Sequence, residues 1–153
     1  MVISTRLFCH VFIVIVMLLF GTAHAIDNPD APDLIGELQA KESTYLEAIN
    51  KPENTVRDYL IAYDDYETFL DNELNRAYQR VMSRLATPQQ EELTKAQRDW
   101  IKFRDAEFVF INNNWTRENF GSSFALSRGA LRCSIIRDRV MQLLMYAKNY
   151  PAQ

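Results

Sequence analysis

Apolar residues recur at intervals of three and four over most of the chain after residue 33, which is the pattern of α-helices that bury one face. The pattern is clearest in the second of four predicted helices. This helix is expected to begin after an N-cap at Asn54 or Thr55, with Asp58 completing the first turn. Its steps of four and three are typical of helices in left-handed bundles. The seam comprises Val56, Leu60, Tyr63, Leu70, Leu74, Ala77 and Val81.

The first and last helices show similar spacing. The first is predicted over about residues 33–50, and the last from a cap at Ser122 or Ser123 to about Tyr150. Short links between long helices favour antiparallel neighbours, so we expect an all-α fold, an antiparallel bundle of about four helices. The apolar stripes are Leu34, Leu38, Tyr45 and Ile49 in the first helix, and Leu126, Ala130, Cys133, Ile136, Val140, Leu143 and Ala147 in the last.

The third helix has the strongest sequence signal. Thr87 is expected to be its N-cap, Pro88 suits the first helical position, and Gln90 completes a capping box. Arg104 lies one turn after Trp100, so its guanidinium can lie over the indole ring. The apolar face consists of Leu93, Ala96, Trp100, Phe103 and Phe110.

Several polar residues fall on the helices that form the predicted core. Asn75, Gln97 and Arg104 are expected to hydrogen-bond between helices, because buried polar groups need partners. Glu67 interrupts the seam of the second helix. We expect it either to pair with Arg104 or Lys102 or to point outward.

Residues 1–25 have the pattern of a cleaved secretory signal. Arg6 precedes an almost wholly apolar run over residues 7–20, and residues 23–25 match a small-x-small cleavage site. The run is shorter than the ~20 residues needed to span a bilayer, so no membrane span is expected after cleavage, with an uncleaved anchor as the alternative. No Cys follows the run, so a lipoprotein is not expected. Residues 26–153 are predicted to be a single domain that is periplasmic or secreted.

Removal of the signal changes the chemistry available to the protein. Both histidines and Cys9 leave with it, and Cys133 remains as the one cysteine. A histidine-based triad, a histidine-ligated metal and an internal disulfide are thereby excluded. Leu131 and Ile136 flank Cys133 and favour its burial, and a bridge to a second chain is the alternative. We predict no enzyme activity, cofactor or metal, although carboxylates from different helices remain able to meet in space.

Charge is unevenly distributed along the predicted mature chain. Residues 26–75 contain 13 acidic and 3 basic side chains, whereas residues 76–153 contain 7 acidic and 13 basic ones. The acidic half would attract a basic protein. The alternative is that the two halves neutralise each other inside one bundle. Nucleic acid is not an expected partner, because the chain is acidic overall and has no basic–aromatic pattern.

Two polar motifs on the second and third helices carry a family resemblance. Leu74-Asn75-x-x-Tyr78 is followed by Gln97-x-x-Trp100-x-x-x-Arg104-Asp105, and then by Cys133 in the last helix. Together they resemble the LprI-like lysozyme-inhibitor family over about residues 66–150. The resemblance implies a small, helical, exported bacterial protein that binds and inhibits lysozyme or a related peptidoglycan-cleaving enzyme. The motif residues, with an expected structural role, are Asn75, Tyr78, Gln97, Trp100, Arg104, Asp105 and Cys133.

The chain departs from the family pattern at Phe108, where family members often have a Cys that lies near a second Cys resembling Cys133. A disulfide cannot form here, so aromatic packing is expected to hold the last two helices together. The lipoprotein signal of the family's namesake is also absent.

The polar segment over residues 112–123 is the expected contact with lysozyme. Lysozymes depend on two carboxylates in a cleft, to which its side chains could donate hydrogen bonds. A simple connection with two anchoring aromatic residues is the competing interpretation. The competing function is an envelope adaptor, or a homodimer, that binds a partner through its long helices. The predicted contact residues are Asn113, Asn114, Trp115, Arg117, Phe120, Ser122 and Ser123.

Overall fold

The computed structural model describes residues 32–150, which form four long helices. Helix α1 spans Leu34–Ile49, α2 Val56–Met82, α3 Thr87–Asn114 and α5 Phe124–Asn149. The short helix α4, Arg117–Phe120, and a 3-10 turn, Gly121–Ser123, connect α3 to α5. The all-α prediction is confirmed. The predicted signal and cleavage site lie outside the described residues, and within residues 32–150 no helix is both long and apolar enough to cross a membrane.

Local capping explains where the first two helices begin. Asp33 accepts a hydrogen bond from the Gly36 amide (2.9 Å) and thereby caps the amino end of α1. Thr55 is the N-cap of α2, one of the two predicted caps, and it forms a capping box in which Asp58 accepts from the Thr55 amide at 2.9 Å. Both starts are confirmed.

The predicted cap of α3 is wrong. Thr87 is already the first helical residue, and Ala86 precedes it without a side-chain cap. Gln90 instead donates from Nε2 to the carbonyls of Met82 (3.1 Å) and Leu85 (3.0 Å). Its amide therefore satisfies carbonyls at the end of α2 and fixes the turn between the two helices.

Helices α2 and α5 form the centre of the fold and run in the same direction. Gly129 in α5 lies against Tyr63 in α2, and Arg84 after α2 donates to the Ala147 carbonyl at the far end of α5. Consecutive long helices are antiparallel, so α1 and α3 run opposite to this central pair. The fully buried side chains come mostly from it and include Leu70, Ile136, Val140, Leu143 and Ala147.

Some predicted seam residues are exposed. Leu60 and Leu126 are 46% and 39% exposed, and Phe103 and Phe110 of α3 are 54% and 55% exposed. Helix α3 lies at the edge of the bundle. Leu93 and Trp100 of its predicted face pack against the core, but Phe108 and Ile111 are directed inward in place of Phe103 and Phe110. Spacing alone identifies an apolar side of a helix, but it does not say which side a neighbouring helix covers.

Ion pairs connect the acidic and basic halves of the chain. Arg137 of α5 donates two hydrogen bonds to Glu42 of α1 (2.9 and 2.8 Å), which also accepts from Tyr66 Oη at 3.0 Å. Arg132 pairs in the same bidentate way with Glu67 (3.0 and 2.6 Å). Glu67 therefore pairs with neither Arg104 nor Lys102. These contacts show that the two halves neutralise each other in part inside the bundle.

Gly129 permits the close approach of α5 to α2. A Cβ atom at this position would lie 2.2 Å from Cγ of Tyr63. Gly129→Ala should therefore lower the free energy of unfolding by about 1–3 kcal/mol, because the Tyr63 ring must move within a packed core. Urea denaturation measures the loss, with exposed Ser134→Ala in the same helix as a control expected to stay within about 0.5 kcal/mol of the parent. A stabilised Gly129→Ala protein would contradict the packing described.

Glu42→Gln should make stability less dependent on pH. Burial opposes ionisation of Glu42, but hydrogen bonds from Arg137 and Tyr66 outweigh it and hold its pKa below the ordinary 4.5. The carboxylate therefore stabilises the fold fully above the pKa of the unfolded chain, and this contribution is lost as pH falls through the lower pKa of the folded protein.

At pH 7 we expect Glu42→Gln to cost about 1.5–3 kcal/mol in urea denaturation, the range for hydrogen bonds to charged groups. The difference between parent and variant should shrink at pH values below 4.5. Exposed Glu47→Gln on the same helix is the control. A difference that stays constant into strong acid would mean that Glu42 is not ionised in the folded protein.

Candidate partner-binding site

Residues 112–123, here called the tip, form a folded end of the molecule rather than a loop. Thr116 caps α4 by accepting from the Asn119 amide (3.3 Å), and Asn119 Nδ2 donates to the Asn114 carbonyl (3.0 Å). Asn114 Nδ2 donates in turn to the Phe110 carbonyl at 2.8 Å. The predicted irregular loop is therefore mostly helical. These bonds connect α4 to the end of α3.

Two aromatic rings of the tip stack on each other, and a third ring from the end of α3 meets them edge-on. The rings of Trp115 and Phe120 are nearly parallel, with centroids 5.7 Å apart, and Phe110 meets Trp115 edge-on at 5.9 Å. Phe110 and Phe120 are 55% and 41% exposed, and Trp115 is half-buried. None of the three packs against the hydrophobic core. The rings therefore contact one another and present apolar surface to solvent, which argues against a role as core anchors.

The tip also contains several exposed polar side chains. Asn113, Arg117 and Ser122 are exposed, and Arg117 has no ion-pair partner among residues 32–150. Ser123 does not cap α5 with its side chain but donates to the Phe120 carbonyl at 2.8 Å. Gly121 adopts φ 57°, a left-handed conformation that lets the chain turn between α4 and α5. The tip thus combines a stacked apolar surface with hydrogen-bond donors.

The family motifs lie elsewhere, on the facing sides of α2 and α3. Asn75 and Tyr78 come from α2, Gln97 and Arg104 come from α3, and all four line a groove of about 450 Å³, here called the motif groove. Arg104 forms ion pairs with Asp105 (2.8 Å) and with Asp71 of α2 (3.5 Å). The expected link from Arg104 to another helix is therefore present.

Trp100 lies between two guanidinium groups, as the sequence predicted for one of them. The Cζ atoms of Arg104 and Arg139 are 5.6 and 5.9 Å from its ring centroid. Gln97 accepts from Nε of Arg139 at 3.0 Å, which confirms its expected contact with another helix.

Asn75 is exposed and has no hydrogen-bond partner among residues 32–150, so the prediction that it bonds to another helix is wrong.

Arg139 is a residue whose role sequence reasoning missed. It is 8% exposed, and burial lowers the pKa of its guanidinium. Nε of Arg139 donates to the side-chain oxygen of Gln97 and Nη1 donates to that of Gln142, while Nη2 has no hydrogen-bond partner among residues 32–150. The signal available in the sequence was an arginine between Ile136 and Val140, inside the apolar stripe of the last helix.

Cys133 is 2% exposed, which confirms its predicted burial. Burial raises the pKa of its thiol to about 12, so the thiolate needed for disulfide exchange is disfavoured. Phe108 packs against the core, and the Cζ atom of Arg132 lies 4.3 Å from its ring centroid. The expected aromatic contact between the last two helices is therefore present.

Within residues 32–150 no group of three or more His, Cys, Asp or Glu side chains is arranged to hold a metal ion. The tip and the motif groove contain hydrogen-bonding side chains and apolar surface. Such groups suit recognition of another molecule.

Comparison with known proteins identifies a family. The family model described as lysozyme inhibitor LprI matches residues 49–143, more than half of the chain. The match begins at the end of α1 and reaches most of the way along α5, so it includes the tip and the motif groove. No curated protein and no solved structure matches the chain.

Substitution of Gln97 tests its contact with Arg139. Gln97→Leu should lower the free energy of unfolding by about 1–3 kcal/mol, because a buried Nε–H loses its acceptor. Gln97→Glu should keep most of the stability at pH 7, since a carboxylate also accepts from Arg139. Urea denaturation of both variants, with exposed Gln79→Leu as a control, makes the comparison. Equal losses for the Leu and Glu variants would show that the contact with Arg139 does not matter.

Proposed function

This chain belongs to the LprI lysozyme inhibitor family, and we propose from that premise that it is an exported protein which inhibits a lysozyme by placing its tip in the active-site cleft. The observation that carries the proposal is the exposed aromatic stack of Trp115, Phe120 and Phe110, which lies outside the core and beside an unpaired Arg117.

The chemistry of the tip complements that of a lysozyme cleft. Lysozymes cleave glycan with two carboxyl groups that flank the scissile bond. Arg117 can donate a charge-assisted pair of hydrogen bonds to a carboxylate, and Ser122 can donate one more. The parallel rings of Trp115 and Phe120 offer a flat apolar surface of the kind that fits a sugar subsite. Occupation of the cleft by these groups would exclude the substrate.

The rigidity of the tip supports tight binding. Asn114, Thr116 and Asn119 hold α4 by hydrogen bonds within the tip. A surface that is already ordered loses less conformational entropy when it binds. Trp and Arg are also the residue types that most often dominate binding energy in protein interfaces.

Charge near the tip favours a basic partner. Because α2 runs opposite to α3, the start of α2 lies at the same end of the bundle as the tip. Asp58, Asp64 and Asp65 are exposed there. Such acidic groups would speed the association of a basic lysozyme more than they would strengthen the final complex.

One observation favours a second candidate function. Phe103 and Val109 on the outer side of α3 are 54% and 61% exposed. An adaptor protein or a homodimer could cover this surface with a helix of the partner. The assay below separates the two functions, because an adaptor would not inhibit lysozyme.

Inhibition of a c-type lysozyme on cell walls tests the proposal, with protein purified after expression of the full chain. The parent protein should inhibit saturably. Trp115→Ala and Arg117→Ala should each weaken inhibition by about 30-fold, as expected for hot-spot residues that contribute about 2 kcal/mol. Circular dichroism should show that both variants remain helical, because the tip is outside the core.

Two matched controls remove side chains of the same kind outside the tip. Phe103→Ala removes an exposed aromatic from α3 for comparison with Trp115→Ala, and Arg80→Ala removes an exposed arginine from α2 for comparison with Arg117→Ala. Both controls should inhibit like the parent. If the tip variants inhibit at full strength, the contact lies elsewhere. If the parent inhibits no type of lysozyme, the proposed function is wrong and the adaptor becomes the better candidate.

A further inference from the structure

We infer that the motif groove between α2 and α3 is a binding site for a short neutral oligosaccharide, separate from the tip. The groove has a volume of about 450 Å³ and is lined by side chains of both family motifs. That volume falls within the range of about 300–1,000 Å³ that is typical of small-molecule sites. The contact proposed for lysozyme uses none of these residues.

The side-chain amide of Gln97 is held in place by a buried partner. A guanidinium has only hydrogen-bond donors, so the Arg139 contact at 3.0 Å must be made by the carbonyl oxygen of Gln97. Gln97 lines the groove, and its NH₂ group takes no part in the contact with Arg139. This NH₂ group has no partner among residues 32–150. The groove therefore contains a donor of fixed orientation that is free for a ligand.

The hydroxyl oxygen of Tyr78 is a hydrogen-bond acceptor in the groove. Thr94 donates its hydroxyl proton to the Gln90 carbonyl at 2.7 Å. In the 3.0 Å contact between the two hydroxyls, Tyr78 must therefore be the donor. Its phenol oxygen keeps free lone pairs at the edge of the groove. Asn75, which has no partner within the described chain, adds both a donor and an acceptor.

The charges in the groove largely compensate each other. Arg104 is held by Asp71 (3.5 Å) and by Asp105 (2.8 Å), so its charge is balanced before any ligand binds. Arg98 is exposed at the rim, where solvent screens its charge. A strongly charged ligand would find no concentrated opposite charge here.

A saccharide matches this combination of groups. Its hydroxyls both donate and accept, as the free groups of Asn75, Tyr78 and Gln97 require. Its C–H faces can pack on Leu74 and on Ile101, which is 37% exposed at the groove. The inference does not depend on lysozyme binding, because the two sites share no residue.

The test is NMR titration of ¹⁵N-labelled protein, made from the full chain, with chitotriose, cellotriose and maltotriose. We expect saturable shifts of the side-chain amides of Asn75 and Gln97 with at least one of these sugars. Asn75→Ala and Gln97→Glu should each weaken binding by about 2–10-fold, the effect of losing one hydrogen bond.

The choice of variants keeps loss of binding distinct from loss of fold. Asn75 has no partner to lose, and Gln97→Glu keeps the acceptor for Arg139 while it removes the NH₂ donor. Gln89→Glu introduces the same charge outside this groove and should bind like the parent, as should Trp115→Ala. Shifts confined to the tip, unchanged binding by both groove variants, or no shifts with any of the three sugars at millimolar concentration would overturn the inference.

Discussion

The fold depends on three arginines of α5, each of which reaches a different helix. Arg132 pairs with Glu67 of α2, Arg137 pairs with Glu42 of α1, and Arg139 donates to Gln97 of α3. Their partners lie 42 to 95 positions away along the chain. The apolar stripe of α5 supplies most of the burial, whereas these polar contacts select which face and which register each neighbouring helix adopts. A register shift would leave buried charge without a partner, at a cost of several kcal/mol.

Both candidate sites follow from this arrangement. Because α5 holds α3 against the bundle through Arg139 and Gln97, the facing sides of α2 and α3 remain open as the motif groove. Where α3 ends, the chain must turn before α5 can begin, and the turn is built from α4 and Gly121. Trp115 and Phe120 lie in this turn and do not pack against the main core cluster, so their stacked rings stay partly exposed. Rigid helices thus present one polar groove along their length and one aromatic surface at their end.

Sequence patterns predicted where the helices lie along the chain better than they predicted which helices pack against one another. The capping box at Thr55 and the helical periods depend on residues within one or two turns, so they could be recognised directly. The exposure of Leu60 and Phe103 depends on which helices lie beside them, and an apolar period carries no information on that point. Glu67 was placed on the seam correctly, but its partner Arg132 is 65 residues away. The lack of a hydrogen-bond partner for Asn75 within the described residues could not be predicted either, because it results from the open groove.

The most direct test of the account is amide hydrogen exchange of the protein with and without bound lysozyme. The account predicts new protection over residues 112–123, with exchange in the motif groove and on the outer side of α3 unchanged. Protection along Phe103 and Val109 with none at the tip would contradict it, and would show that the partner binds the side of the bundle rather than its end.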